Sequence, residues 1–197
     1  MGIIEKPDED VYEYGLELLL HTILNISAIF GTAAILGMLP ESFVLVAVTL
    51  PLQSFGGGYH AKTHLRCFLI MYIGWWALIF ILPFITLISA IVIACAAVLI
   101  VFKLAPVPHE NVKMSVGQKL KMRKFARIIV SIWAILSVFS IFYVDNDLGI
   151  TISAGLGALS TSMITAHIKN TSMVKHALLF IKSLFMRIKY RSQNNKF

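Results

Sequence analysis

From Ile70 to Phe102 the chain runs for 33 residues without a charged side chain. As a single helix rising 1.5 Å per residue, such a run would extend about 50 Å, well beyond the roughly 30 Å hydrocarbon core of a bilayer. Two membrane-crossing helices joined by a tight turn at Leu82-Pro83 fit that length; one kinked helix does not. Only a lipid environment accommodates so much unbroken apolar chain, and the whole composition agrees. Hydrophobic residues make up 58% of the 197 positions and charged residues 14%, with a mean hydropathy of +0.82. A soluble domain of this length carries charge at roughly a quarter of its positions, because its surface must face water. Six apolar segments are long enough, or nearly so, to cross: 17–39, 42–55, 67–83, 85–102, 126–144 and 148–166. The expected fold is therefore an all-α, polytopic integral membrane protein of about six transmembrane helices, built as a single membrane domain over residues 1–197.

The charges say which way it faces. Of 17 Lys and Arg, seven lie between Lys103 and Arg127 and seven after His167, leaving only Lys6, Lys62 and Arg66 elsewhere. Cations flanking membrane spans accumulate on the cytoplasmic side, so the segment 103–125 and the tail after residue 167 are expected there. Spans five and six then form a hairpin whose turn, Asp145-Asn146-Asp147, faces outward. Counting back, the Pro83 turn lies outside, the polar break near residue 60 inside, Leu39-Pro40-Glu41 outside and both termini inside. The acid-rich N-terminal residues do not oppose this, because acids count little in the rule. The same distribution argues against a nucleic-acid partner despite the net charge of +7. The N-terminus lacks the basic start and small-residue cleavage site of a secretory signal, so no processing is expected, and Lys6 stands where myristoylation needs Ser or Thr.

Two further patterns concern partners. In the tail, over 173–191, Lys175, Lys182 and Lys189 recur every seven residues, with Leu178, Ile181, Phe185 and Ile188 on the opposite side. This predicts an amphipathic helix on the anionic inner leaflet of the bilayer, or a docking surface for an acidic partner. In span six, Ser153, Gly157 and Thr161, beside Ala154, Ala158 and Ser162, form two small-residue rows that let helix backbones approach closely, either within the chain or across a homodimer. Of the two cysteines, Cys95 lies in the apolar run IVIACAAVLI, where a thiol behaves as a small hydrophobe. No structural disulfide is expected.

The reactive side chains gather in one place, FGGGYHAKTHLRCF from Phe55 to Phe68. Cys67 begins the third apolar run, where the unsatisfied amides and positive dipole end of a helix start favour a negative sulfur, aided by Arg66 and Lys62. Two histidines compete to assist it. His64 is three residues away and shares its helical face. His60 is seven away, about 10.5 Å along a straight helix and out of hydrogen-bond reach. His60 can serve only if the chain folds back, and the glycines at 56–58 supply that freedom. His60, His64 and Cys67 also have the spacing of three zinc ligands. The nearest carboxylates in sequence, Glu41 and Glu110, are too remote to act as a base there, and neither a metal nor another cofactor is expected. His21, His109, His167 and His176 read as structural or interfacial.

The stretch GGGYHAKTHLRC resembles the active-site segment of the accessory gene regulator B (AgrB) family, integral-membrane cysteine peptidases of Gram-positive bacteria that mature quorum-sensing peptides. The resemblance rests on Gly58-Tyr59-His60-Ala61 with Cys67 seven residues after the histidine. A second segment, Ala105-Pro106-Val107-Pro108-His109-Glu110-Asn111 with Lys113, looks like the family's Ala-Pro…Asn-Lys-Pro segment, although Val112 separates Asn from Lys and no Pro follows. Several family members carry Arg seven residues before the histidine, where this chain has Gln53. A role for that Arg does not transfer, and Gln53 can instead offer an amide to an oxyanion or to His60. The resemblance implies that Cys67 is the nucleophile and His60 its base; Gln53, Gly58, His64 and Arg66 are supporting candidates on their own chemistry and position. It implies a small amphipathic precursor peptide with an acidic C-terminal tail as substrate. The basic loop carrying Lys119, Lys121, Arg123 and Lys124 would attract that tail. The rival readings are a small transporter, whose spans would carry buried ionisable residues along a pathway, and a noncatalytic membrane scaffold.

Overall fold

The computed structural model describes residues 6–59, 63–107 and 115–170, apart from the side chains of residues 6–15, 17, 18, 64 and 170. These residues form six helices: α1 (Lys6–Leu36), α2 (Leu39–Gly56), α3 (His64–Ile81), α4 (Leu87–Leu104), α5 (Val116–Tyr143) and α6 (Asn146–Asn170). All six are long and apolar enough to cross a membrane, and no strand occurs among the described residues. The uncharged run divides at a short 3-10 turn, Leu82–Phe84, where the proline ring at Pro83 cannot continue an α-helix. α4 then restarts behind Thr86, whose hydroxyl accepts the Ser89 N–H at 3.3 Å. The predicted amphipathic tail helix, residues 173–191, lies outside the described residues.

α6 is the centre of the assembly, packed against α2, α4 and α5. In lipid an apolar side chain gains little by moving from hydrocarbon to protein, so helices associate through close packing and hydrogen bonds. α6 supplies both. A Cβ added at Gly149 would lie 2.7 Å from the Ser137 carbonyl oxygen of α5. One at Gly155 would lie 3.2 Å from Val48 Cγ1 of α2, and one at Gly157 would lie 2.8 Å from Ile93 Cγ2 of α4. Each neighbour thus leans on a glycine of α6. Beside Gly149, the buried hydroxyls of Ser137 and Ser153 bond to each other at 2.6 Å, and Ser137 Oγ donates to the Gly149 carbonyl at 2.9 Å. α4 answers with its own narrow face, Ala90, Ala94, Ala97 and Val101, all buried. Ser153 and Ala154 of the small-residue rows are consumed inside the chain, whereas Thr161 is exposed.

α1 and α3 make a different kind of contact. They pack on each other, and α1 packs on α2, around Ile29, Ala33, Leu45, Trp75 and Ile79. Along α3 the rings of Phe68, Tyr72, Trp75, Trp76 and Phe80 form a continuous series of contacts. Only 11% of the α3 span is buried, against 56% of the α6 span. The exposed Phe80, Phe84, Ile88, Leu99, Ile135 and Phe142 are the residues a bilayer would cover.

Candidate active site

At one end of the bundle the C-terminal ends of α2, α4 and α6 meet the N-terminal end of α5, and α3 begins at His64, five residues after Tyr59. The glycine-rich segment lies there. α2 finishes with the Gly57 N–H bonded to the Gln53 carbonyl at 3.0 Å, and Gly57 itself has φ 75°, a conformation that disfavours any side chain. A second constraint coincides with the first, because a Cβ at Gly57 would strike the Val107 carbonyl oxygen. The 105–107 segment is held against α2 by the Val107 N–H, which donates to the Gly56 carbonyl at 2.9 Å.

That segment is fixed in turn from α5. Arg123 Nε donates to the Ala105 carbonyl at 3.0 Å, and an Arg127 Nη donates to the Phe102 carbonyl at 2.8 Å with its guanidinium 5.1 Å over the Phe102 ring. The last carbonyls of a helix have no partner within it, and here two arginines of the neighbouring helix satisfy them. The Phe55 and Phe125 rings meet at 5.3 Å and close the same junction between α2 and α5.

On the other side the segment meets α6. Gly58 is buried, and a Cβ there would lie 3.0 Å from Ser162 Oγ and 3.9 Å from Gln53 Cγ. The next residue, Tyr59, donates its N–H to Ser162 Oγ at 2.9 Å, while Lys169 Nζ sits 4.7 Å from the centre of the Tyr59 ring. The structure therefore brings Gln53, Gly58, Tyr59, Val107, Ser162 and Lys169 into one cluster. His60 follows directly but, with Ala61 and Lys62, lies outside the described residues, as do the side chain of His64 and the segment from Pro108 to Met114.

The chain returns at Thr63, and α3 begins at His64. Cys67 is half-buried, is the fourth residue of that helix, and closes its first turn by donating its N–H to the Thr63 carbonyl at 3.0 Å. The amides of His64, Leu65 and Arg66 precede it and have no acceptor within the helix. Thr63 makes no side-chain cap to them, whereas Thr86 caps α4 and Ser115 caps α5, the latter in a reciprocal capping box with Gln118. Because helical side chains lean toward the N-terminus, the Cys67 thiol lies over this uncapped turn. Arg66 is exposed, and both Cys67 and Cys95 are free thiols. Lys119, Lys121, Arg123 and Lys124 are exposed within the first nine residues of α5, with Arg123 also engaged at Ala105. Of the spacing-based zinc set, only Cys67 has a described side chain. Among the described residues no group of three His, Cys, Asp or Glu side chains converges.

The sequence profile of one family, Accessory gene regulator B, matches residues 1–168, which takes in all six helices to within two residues of the end of α6. The chain belongs to the accessory gene regulator B family. No curated protein and no solved structure matches it. Membership places the protein in the processing of quorum-sensing peptide precursors, consistent with its glycine-rich polar break in an otherwise apolar bundle. Three features of the site in this family member have no local signature in the sequence: the Ser162 tie, the Val107 tie and the arginine caps. Ser162 stands in a row of small residues and looks like a packing position. Pro106 and Pro108 announce extended chain after α4 without naming its partner.

Proposed function

We propose that the protein is a membrane-embedded cysteine endopeptidase that cleaves a small precursor peptide through an acyl-thioester. Cys67 is the nucleophile and His60 the general base. The Cys67 sulfur bonds to the scissile carbonyl carbon as His60 takes the thiol proton, and His60 then returns that proton to the amine that leaves when the C–N bond breaks. A side chain of the retained peptide, usually a Cys thiol, displaces Cys67 and closes a thiolactone, exchanging one thioester for another at little net cost. The site must then exclude water while the ring forms.

The observation that carries this reading is the uncapped start of α3. α4 and α5 close their first turn with a hydroxyl cap, whereas Thr63 makes no side-chain cap to α3, and the start of α2, which also lacks one, carries Pro40 in its first turn. The amides of His64, Leu65 and Arg66 precede Cys67 in the first turn of its helix. Such amides suit an anion that develops only during reaction, and the tetrahedral oxyanion is that anion. Gln53, beside Gly58, is the second candidate donor. By the Lys/Arg distribution the site lies at the cytoplasmic face of the cell membrane, with both termini on that side. The substrate is a small amphipathic peptide with an acidic C-terminal tail, drawn in by Lys119, Lys121 and Lys124, with Arg123 contributing less because it already serves Ala105. A transporter pathway has no support among the described residues: their fully buried polar residues are Asn25, Ser42, Ser137, Ser140, Thr151, Ser153 and Ser160, none of them charged. The buried charged atoms, Glu41 Oε2 and Arg127 Nε, belong to a residue in the first turn of α2 and to one held at the C-terminal end of α4, and do not form a row along a span.

The test is coexpression of a tagged precursor with Cys67→Ser, His60→Ala and His64→Ala variants, reading cleavage by mass. Cys67→Ser and His60→Ala are expected to abolish product, and His64→Ala to leave most of it. Continued cleavage by Cys67→Ser would sink the reading, and loss with His64→Ala but not His60→Ala would move the base to His64.

A further inference from the structure

We infer that Ser162 and Lys169 of α6 are positioning residues for the general base, holding Tyr59, the residue that leads into His60, by its amide and by its ring. This rests on the peptidase reading above and adds to it two residues from a helix far away in sequence.

The hydroxyls around Ser162 show what it does differently. Ser160 donates to the Leu156 carbonyl, Thr161 to that of Ala158 and Thr165 to that of Thr161, each bonding back to its own helix at 2.7 to 2.8 Å. Ser162 instead turns outward and accepts the Tyr59 N–H across 103 residues of chain. Space for that bond exists because Gly58 carries no side chain: a Cβ there would come within 3.0 Å of the Ser162 oxygen. Lys169 is seven residues further along α6, two turns on and on the same face, and its ammonium covers the Tyr59 ring at 4.7 Å. Holding a residue at both its amide and its ring restrains its translation and its rotation together. One peptide step of 3.8 Å separates its Cα from that of His60. A general base works only within hydrogen-bond reach of its proton, and misplacement by about 1 Å can cost roughly a hundredfold in rate. The grip therefore converts packing in the centre of the bundle into placement of the backbone that leads into His60.

The experiment uses the full chain in membranes in a Cys95→Ala background, so that alkylation titrates Cys67 alone. Cleavage of the tagged precursor is expressed per titratable Cys67, with kcat and KM resolved. Ser162→Ala is expected to lower kcat about tenfold or more with KM within about twofold. Lys169→Ala is expected to lower it about threefold, with recovery in Lys169→Arg, which keeps the cation over the ring. Gly58→Ala should slow the enzyme that retains Ser162 yet add nothing to Ser162→Ala, since the remaining neighbours of the new methyl lie at 3.9 Å. The inference is overturned if Ser162→Ala keeps kcat per site within twofold, if activity falls only in step with titratable Cys67, or if the Gly58 and Ser162 effects simply add. A Cys67→Ser control in the same series separates the two claims. Product from that variant removes the peptidase reading itself, whereas an inactive control beside a fully active Ser162→Ala removes only the positioning role.

Discussion

The bundle of α2, α4, α5 and α6 and the pair of α1 and α3 solve the same problem by different means. The bundle uses glycines, alanines and a buried serine pair to bring backbones together; the pair uses a ladder of aromatic rings on helices that remain mostly lipid-facing. The boundary between them runs through the site. Gly57, Gly58 and Tyr59 are fixed to Val107, Ser162 and Lys169 of the bundle, while Cys67 rides on α3. In the proposed mechanism the base is thus delivered from the rigid side and the nucleophile from the side with fewer constraints. A peptidase that must admit a peptide from the membrane surface and then exclude water has use for both, one surface to hold geometry and one to give way.

The comparison breaks most readily at Gly57. Replacing it with Ala forces a side chain into a backbone conformation (φ 75°, ψ −179°) that essentially only glycine adopts, costing about 1–3 kcal/mol, and also drives a methyl into the Val107 carbonyl. We expect a total loss of at least about 2 kcal/mol, seen as a fall in Tm of roughly 4–8 °C in detergent, together with most of the cleavage activity. An unchanged Tm would mean that the 105–107 segment is not docked against α2, and the rigid half of the site would dissolve.

A smaller effect sharpens the same contrast. Ser137 and Ser153 exchange a hydrogen bond in a buried place where water cannot replace it. Side-chain hydrogen bonds between membrane helices average about 0.6 kcal/mol in double-mutant cycles, with values to about 1.7. A cycle of Ser137→Ala and Ser153→Ala should give coupling in that range, measured by reversible unfolding in mixed micelles. Zero coupling would leave glycine packing as the sole glue of the α5–α6 hairpin.

What could be read from the sequence was whatever depends on neighbours in the chain. The run from Ile70 to Phe102 had to be two helices because length is a local quantity, and the turn fell at Pro83 because proline's restraint is local too. Cys67 is expected in the first turn of a helix and closes that turn as the fourth residue of α3, since His64, Leu65 and Arg66 join the helix ahead of the apolar run. The cations of α5 read from the sequence as markers of orientation and as an attraction for an acidic substrate tail. Two of them turn out to cap α4, which a count of charges on one side of a membrane has no means of revealing. Ser162 is the clearest case. A serine among alanines and glycines is an ordinary packing residue until Tyr59, 103 positions earlier, is known to lie against it.

Gly74 offers the finest test of the difference between the two regions. It sits in the middle of α3, and a Cβ added there would meet nothing within 4 Å, in contrast to Gly157 in α6, where the same methyl would lie 2.8 Å from Ile93. In the interior of a helix, Ala is favoured over Gly by about 0.8–1 kcal/mol in water because the glycine backbone has more freedom to lose. Gly74→Ala should therefore be neutral or raise Tm by up to about 3 °C, while Gly157→Ala should lower it, since Ile93 must shift to make room. If Gly74→Ala destabilises as much as Gly157→Ala, something covers that face of α3, and the helix that carries Cys67 is as tightly held as the segment from Gly57 to Tyr59. If it stabilises without changing cleavage, the slack on the Cys67 side lies in the packing of α3 and not in its backbone.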